Sequence, residues 1–288
     1  MGMDPLRNGY KARDTVFEAF RTYCKSIPDD ASFLITERQK LLREGGFSEK
    51  DAYKLHSTLS DAAYPNTVPT LFWVIYEIYS RPQLLDAIRQ EISSKVVEKS
   101  GSNFTLDVAA LQTECHILLS TYQETQRTRH AQVAFRGVVE DTLLDGYLLK
   151  KGSYLHMPAK PVHMSPEFWG QQAQVFDPYR FITAKAGEKT KISPSSFRAW
   201  GIPPHMCPAR QFASTEILII TALVIMRTDL TPVSGKWERN PAVKSMEIST
   251  LPRPKKDVCL KVGVRDGGLG SWTLTIGKSK TRVSLASG

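Results

Sequence analysis

Apolar residues recur at helical spacing over residues 11 to 44, with Val16, Phe20 and Tyr23 on one side. The break at Ile27-Pro28-Asp29-Asp30 divides this stretch into two expected helices whose charged faces suit a pair packed at a surface. Gly45-Gly46 ends the second, and Ser48-Glu49-Lys50-Asp51 has the residues of a capped start to the next. From Ala62 to Tyr79 nearly every side of the helical wheel is apolar, the pattern of a helix running through the middle of a protein. Pro65 and Pro69 lie within or near its first turns. If both are helical, the carbonyls of Asp61 and Pro65 lose their partners and the helix distorts beside Thr67, where free oxygens and a hydroxyl can hold water. Alternatively the prolines delimit the helix start, with Thr67 as a cap residue. The local sequence supports these two readings equally.

Ser80-Arg81-Pro82 then separates an amphipathic helix, Gln83 to about Lys99, with Leu84, Ile88, Glu91 and Ile92 setting its faces. Residues 103 to 108 read as a short connection. Leu111, Cys115, Leu118 and Tyr122 form a stripe of helical period that leads into Glu124-Thr125-Gln126-Arg127. From Ala134 to Met157 turn residues alternate with short β-prone runs, and Asp145-Gly146 is a hairpin signal, so a small antiparallel sheet is expected. His163 to Trp169 reads as a short helix, and Glu216 to Arg227 as part of an apolar one. The remainder, with Leu230 to Val233, Ser245 to Leu251, Val258 to Val262 and Trp272 to Leu274, reads as short strands and Gly-rich turns. The fold class is mainly α with small β-sheets. No repeat, low-complexity run or charge block divides the chain, so residues 1–288 are read as one domain.

At 288 residues and 41% hydrophobic the chain can bury a sizeable core. The formal charge of +9 is spread among acidic residues as on an ordinary solvated surface, which argues against nucleic acid and leaves an acidic protein partner open. Cys24, Cys115, Cys207 and Cys259 lie far apart with no C-x-x-C, so neither a disulfide framework nor a zinc site is indicated and a reducing compartment fits best. The apolar run Ile217 to Met226 is too short to span a bilayer, and Met1 to Pro5 carries no apolar leader. As written the polypeptide is expected to be soluble and cytoplasmic.

One stretch stands out chemically, Ser196 to Ala213, with Trp200-Gly201-Ile202-Pro203-Pro204-His205-Met206-Cys207-Pro208-Ala209-Arg210 at its centre. A glycine and two prolines make a stiff, non-helical loop, and an apolar helix begins just after Cys207. The thiol is thereby displayed near a helix N-terminus, which favours an anion and suits a metal-ligating thiolate. In isolation a single cysteine is more often a small buried apolar residue.

This loop resembles the haem-binding loop of the cytochrome P450 superfamily, where an aromatic residue, glycines and a basic residue lead to the cysteine that ligates haem iron. Trp200 stands where the family usually has Phe, Pro203 where a Gly is expected, His205 where Arg is commonest, and Ala209 where a Gly normally follows. Other segments resemble the family in the same order. Asn66-Thr67 fills the place of the acid-or-amide plus Thr pair on the central helix. Glu124 and Arg127 fill the E-x-x-R helix, and Phe176-Asp177-Pro178-Tyr179-Arg180-Phe181 resembles the P-x-R-F segment, which implies a buried triad of Glu124, Arg127 and Arg180. On its own an E-x-x-R string carries little information, because exposed pairs contribute little.

The resemblance implies a cytochrome P450 fold truncated at the N-terminus, comprising the central helix, the E-x-x-R helix, the segment that follows it, the haem-binding loop and the C-terminal strands. It implies haem b (iron protoporphyrin IX) ligated by Cys207, with Trp200 as an aromatic wall and Arg136 and His205 on the propionates. Arg136 also reads as an exposed strand residue. Thr67 with water would deliver protons, with Asn66 as its hydrogen-bond partner, and Gln132, Val133 and Ala134 would contact substrate. The implied function is a haem-thiolate monooxygenase acting on a lipophilic small molecule, a fungal terpenoid, steroid or alkaloid, with electrons from NADPH through NADPH-cytochrome P450 reductase. A full-length relative would sit at the endoplasmic reticulum membrane through an N-terminal anchor. Two other readings stand beside it: a haem-thiolate isomerase or dehydratase that needs no reductase, and a truncated, non-catalytic fragment.

Overall fold

A computed structural model describes residues 5–182, 193–244, 251–265, 268–276 and 281–286. These group into two units, Met1–Pro65 and Asn66–Gly288, although no shift in composition marks the division. In the first, helix α1 (Pro5–Lys25) and helix α2 (Phe33–Glu44) form on either side of the break at Pro28. The Gly45 N–H closes α2 onto Leu41, and Gly46 takes a positive φ. Helix α3 (Glu49–Tyr79) starts where Ser48 Oγ accepts from the Asp51 N–H at 3.2 Å and donates to the Asp51 carboxylate at 2.6 Å.

α3 is continuous through Pro65 and Pro69, so neither proline marks its start. The cap at Ser48 has already begun the helix, and the prolines are carried in its interior at the loss of two backbone hydrogen bonds. Thr70 Oγ1 adds a bond to the Asn66 carbonyl at 2.7 Å in that turn.

In the second unit the end of α3 is buried on every side, with Trp73, Val74, Tyr76, Ile78 and Tyr79 all inaccessible. Helix α4 (Pro82–Lys95) opens with proline at its first position. It stops at Lys95, short of the expected end. Val97–Ser100 instead forms strand β1, antiparallel to β2 (Asn103–Asp107), and β2 pairs in parallel with a distant strand of residues 271–275. The expected connection over 103 to 108 is therefore a central strand, a role set by a partner some 170 residues away that local periodicity does not reveal.

Helix α5 (Val108–Glu114) and helix α6 (His116–Arg129) break at Cys115. The apolar stripe nevertheless continues across the break, and Leu111, Cys115, Leu118 and Tyr122 are all buried. Glu91 on α4 explains the break. Its carboxylate accepts from the N–H groups of Ile117 (3.1 Å) and Leu118 (3.2 Å), capping α6 from a neighbouring helix.

The 134–157 region forms two separate ladders instead of one sheet. Strand β3 (Val133–Gly137) pairs with β6 (Tyr154–Pro158), and β4 (Thr142–Leu144) pairs with β5 (Tyr147–Leu149) around Asp145-Gly146, both at positive φ. Helix α7 (Ala159–His163) and helix α8 (Pro166–Trp169) follow.

After the cysteine loop, helix α9 (Arg210–Arg227) packs Ile217, Leu218, Ala222 and Ile225 against Ile88, Leu118 and Tyr122. Burial of each such aliphatic side chain contributes about 1.5–3 kcal/mol, so this cluster is the main source of stability of the unit. Strands β9 (Thr228–Pro232) and β10 (Leu260–Val264) pair antiparallel, and β11 (Ser271–Thr275) is the parallel partner of β2. Of the expected strand Ser245 to Leu251, residues 245–250 lie outside the described residues. The core is sealed by Val283 and Leu285. Gln211 brackets Val283, donating to its carbonyl at 3.1 Å and accepting from its N–H at 2.8 Å, while Gln123 accepts from the Ala286 N–H at 2.6 Å.

Candidate active site

Cys207 follows a short hairpin of β7 (Gly201–Ile202) and β8 (His205–Met206), in which Ile202 faces His205 and Gly201 faces Met206. The turn carries a cis peptide between Pro203 and Pro204. The Cys207 N–H donates to the Trp200 carbonyl at 2.8 Å, extending the hairpin by one pair. Gly201 is required here twice over. Its φ is +93°, and a Cβ would lie 2.7 Å from the His205 carbonyl oxygen.

Cys207 is half-buried and lies three residues before α9, whose first residue, Arg210, donates to its carbonyl from both the backbone (3.4 Å) and Nη1 (3.3 Å). Cys115, by contrast, is the aliphatic-like thiol of the core; burial pushes its pKa up to about 12, and the charge of Glu91 adds to this. Tyr122, on α6, bonds Ser214 of α9 at 2.9 Å. Burial pushes its phenol above the ordinary range, with the nearby Cys207 acting in the same direction and the Ser214 bond against it. Among the described residues no group of three or more His, Cys, Asp or Glu could hold a metal ion.

A second feature is an ion network whose centre, Glu124 and Arg127, is wholly buried. Glu124 and Arg127, three apart on α6 and both wholly inaccessible, pair through two bonds of 2.7 Å. Arg180 Nε reaches the same carboxylate at 3.1 and 3.2 Å, and the Asp177 N–H donates to it at 2.9 Å. Arg127 also donates to the carbonyls of His163 and Ala173, and its guanidinium lies 5.0 Å from the Trp169 ring centre. The triad read from the sequence is thus one connected unit.

His163 joins this unit to the cysteine loop. Its ring Nε2 accepts from the Arg198 N–H at 2.8 Å, and the ring stacks on Phe197 with centres 5.8 Å apart. His130, at the end of α6, sits 5.6 Å from it, centre to centre. Burial pulls His130 down to about 4 and His163 to about 3, where the charges of His130 and Arg127 add to the effect, so both rings are neutral near pH 7. Neither histidine is marked by any sequence motif; a buried polar residue at the close of a helix is their only signal.

The pleat of β3 puts Gln132, Ala134 and Arg136 on one side. They line a cavity of about 190 Å³ together with His130, Met157, Ala159, Arg198, Gly201, Ile202 and His205. Arg136 is half-buried there, with Nη1 on the Phe135 carbonyl. Val133 is not among the lining residues. Asn66 and Thr67 lie half-buried on the last four turns of α3. Trp200 packs against two apolar clusters with its indole N–H buried and without a hydrogen bond, as is His130 Nε2.

The residues present fit an iron porphyrin. A half-buried thiol supplies a single axial donor, an aromatic side chain stands beside it, and the adjoining cavity collects guanidinium and imidazole groups. That cavity is smaller than the roughly 300–1,000 Å³ that encloses a whole ligand, but it suits the polar arms of a larger one.

The family model described as Cytochrome P450 matches residues 14–260. The chain belongs to the cytochrome P450 family. It is 35% identical over 221 residues to the cytochrome P450 monooxygenase nodJ of Hypoxylon pulicicidum, covering 73% of this chain and 43% of that protein. A cytochrome P450 monooxygenase of Gibberella zeae is 29% identical over 257 residues, covering 86% and 49%. The cytochrome P450 monooxygenase ATR3 of Stachybotrys chlorohalonatus is 28% identical over 254 residues, covering 82% and 51%. The chain spans about half the length of the curated relatives it matches. Among the described residues of this P450 chain no helix is long and apolar enough to cross a membrane.

Proposed function

We propose that this chain is the haem-binding portion of a haem-thiolate monooxygenase. The single observation that carries the reading is the half-buried Cys207, which follows a hairpin whose preceding residues are tied through His163 to the Glu124–Arg127–Arg180 network. Such a network contributes little net stability but fixes one geometry. That is what a cofactor site needs.

In this reading Cys207 would ligate the iron of haem b, Trp200 would be an aromatic neighbour of the group, and Arg136 and His205 would hold its carboxylates. The bound iron porphyrin supplies oxygen activation, favoured by the electron-rich thiolate. The chain's own residues do the rest. Thr67 holds a proton at Oγ1 and passes it through water, Asn66 orients that hydroxyl or water as a hydrogen-bond partner, and Gln132 and Ala134 contact a lipophilic substrate. The fungal relatives support a secondary metabolite of terpenoid, steroid or alkaloid type as that substrate. Electrons come from NADPH through a partner reductase, and a full-length relative would sit at the endoplasmic reticulum membrane.

Asn66 favours a second reading. An amide in place of an acid cannot donate a proton in turn, which suits an isomerase or dehydratase that takes no electrons from NADPH. Dependence of turnover on NADPH and reductase separates the two. The haem assignment itself is tested by supplying haem to the purified chain, reducing it and adding carbon monoxide. A red-shifted, thiolate-type Soret band that disappears in Cys207→Ala supports it. Absence of the band, or its persistence in the variant, leaves a non-catalytic fragment.

A further inference from the structure

Arg198 lies nine residues before Cys207 and belongs to no motif used above, yet it is one of the residues that line the same cavity as Arg136, His205 and His130. Its position is over-determined. The backbone N–H is held by His163 Nε2 at 2.8 Å, and the guanidinium Nε donates to the Ser195 carbonyl at 3.1 Å. Among the described residues the guanidinium makes no further hydrogen bond, so its terminal nitrogens remain for a ligand.

Charge balance points the same way. The porphyrin of the haem reading carries two carboxylates, whereas the guanidinium of Arg136 is the one permanent cation among the residues so far assigned to them. Burial keeps the neighbouring His130 ring neutral, so it can offer a hydrogen bond but no charge. A second guanidinium beside the first matches the dianion, and its planar fork suits a carboxylate.

We infer that Arg198 is a cofactor-positioning residue whose guanidinium pairs with a carboxylate arm of the porphyrin alongside Arg136 and His205. This rests on the haem reading above.

The test titrates the whole chain and its Arg198→Leu and Arg198→Lys variants with two probes, haem b and haem b whose carboxylates are methyl esters. Affinity is read from absorbance, and the thiolate-type band with carbon monoxide reports ligation. The expected result is that Arg198→Leu weakens binding of the free-acid haem about tenfold or more, the scale of a charge-assisted hydrogen bond, and that lysine recovers part of it. With the ester, wild type and Arg198→Leu should bind equally. An equal loss with both probes would show that the side chain only supports the loop and would overturn the inference, as would no loss with either. If wild type itself gives no thiolate band, the haem reading fails first and takes the inference with it.

Discussion

The backbone N–H of Arg198 donates to Nε2 of His163 at 2.8 Å, and the carbonyl of the same histidine accepts from Arg127. One residue therefore couples the segment before the cysteine hairpin to the buried ion network. His163→Ala leaves the Arg198 N–H without its acceptor, at a cost of about 1–3 kcal/mol from that group alone. His163→Gln, which can accept in its place, should recover part of the loss. Urea unfolding with the denaturant slope unchanged is the measurement, and an unchanged midpoint in His163→Ala would contradict the coupling.

Acid should act through the same place. His130 and His163 titrate near 4 and 3 in the folded chain because they are buried, against about 6.5 when unfolded. Between those limits the unfolded state binds more protons, so stability is unaffected above about pH 6.5 and falls as pH drops below it. The double variant His130→Gln/His163→Gln should lose close to two protons from that acid slope. Equal slopes for variant and wild type between about pH 4 and 6.5 would show that the rings are hydrated.

Glu124 and Arg180 differ in burial, and their variants should differ accordingly. Glu124→Gln leaves Arg127, which is wholly buried, facing a neutral amide and should cost about 3–5 kcal/mol. Arg180 keeps 13% of its side chain accessible, so Arg180→Gln should cost less. Comparable midpoints for the two in chemical denaturation would mean that the pairs are not ranked by desolvation.

Gly201→Ala asks an L-residue to adopt a φ of +93° with its Cβ against the His205 carbonyl. The hairpin must open, at a cost of about 1–2 kcal/mol or more from the backbone alone. Hydrogen exchange at the Cys207 amide, which bonds the Trp200 carbonyl, should accelerate locally while exchange in α9 stays slow.

Much of the site was legible only through resemblance. Glu124 and Arg127 are helical neighbours that alone carry little information, and it is the likeness of the Cys207 loop and the Arg180 segment to the family's motifs that implied the triad. The resemblance implied Gln132, Val133 and Ala134 as contacts and Arg136 as a carboxylate partner; Gln132, Ala134 and Arg136 line one cavity, and Val133 is not among its lining residues. The roles of His163, Arg198 and Glu91 were not legible because each acts on a partner 26 to 36 residues away, and helical periodicity sees only three or four. The prolines of α3 left two readings open, because proline is read locally both as a boundary and as a kink; the helix runs through both, so they do not mark its start. The strand over 103–107 was missed because its parallel partner lies at 271–275.

The seal made by Val283 and Leu285 has a kinetic consequence. Gln211 and Gln123 grip main chain 72 and 163 positions away, so the hydrophobic cluster of the second unit cannot close helix by helix. Chains whose native pairings are this far apart in sequence pass through a slow search before cooperativity sets in. Refolding should therefore lag well behind recovery of helical circular dichroism, and the interval is when the apolar face of α9 is open to aggregation.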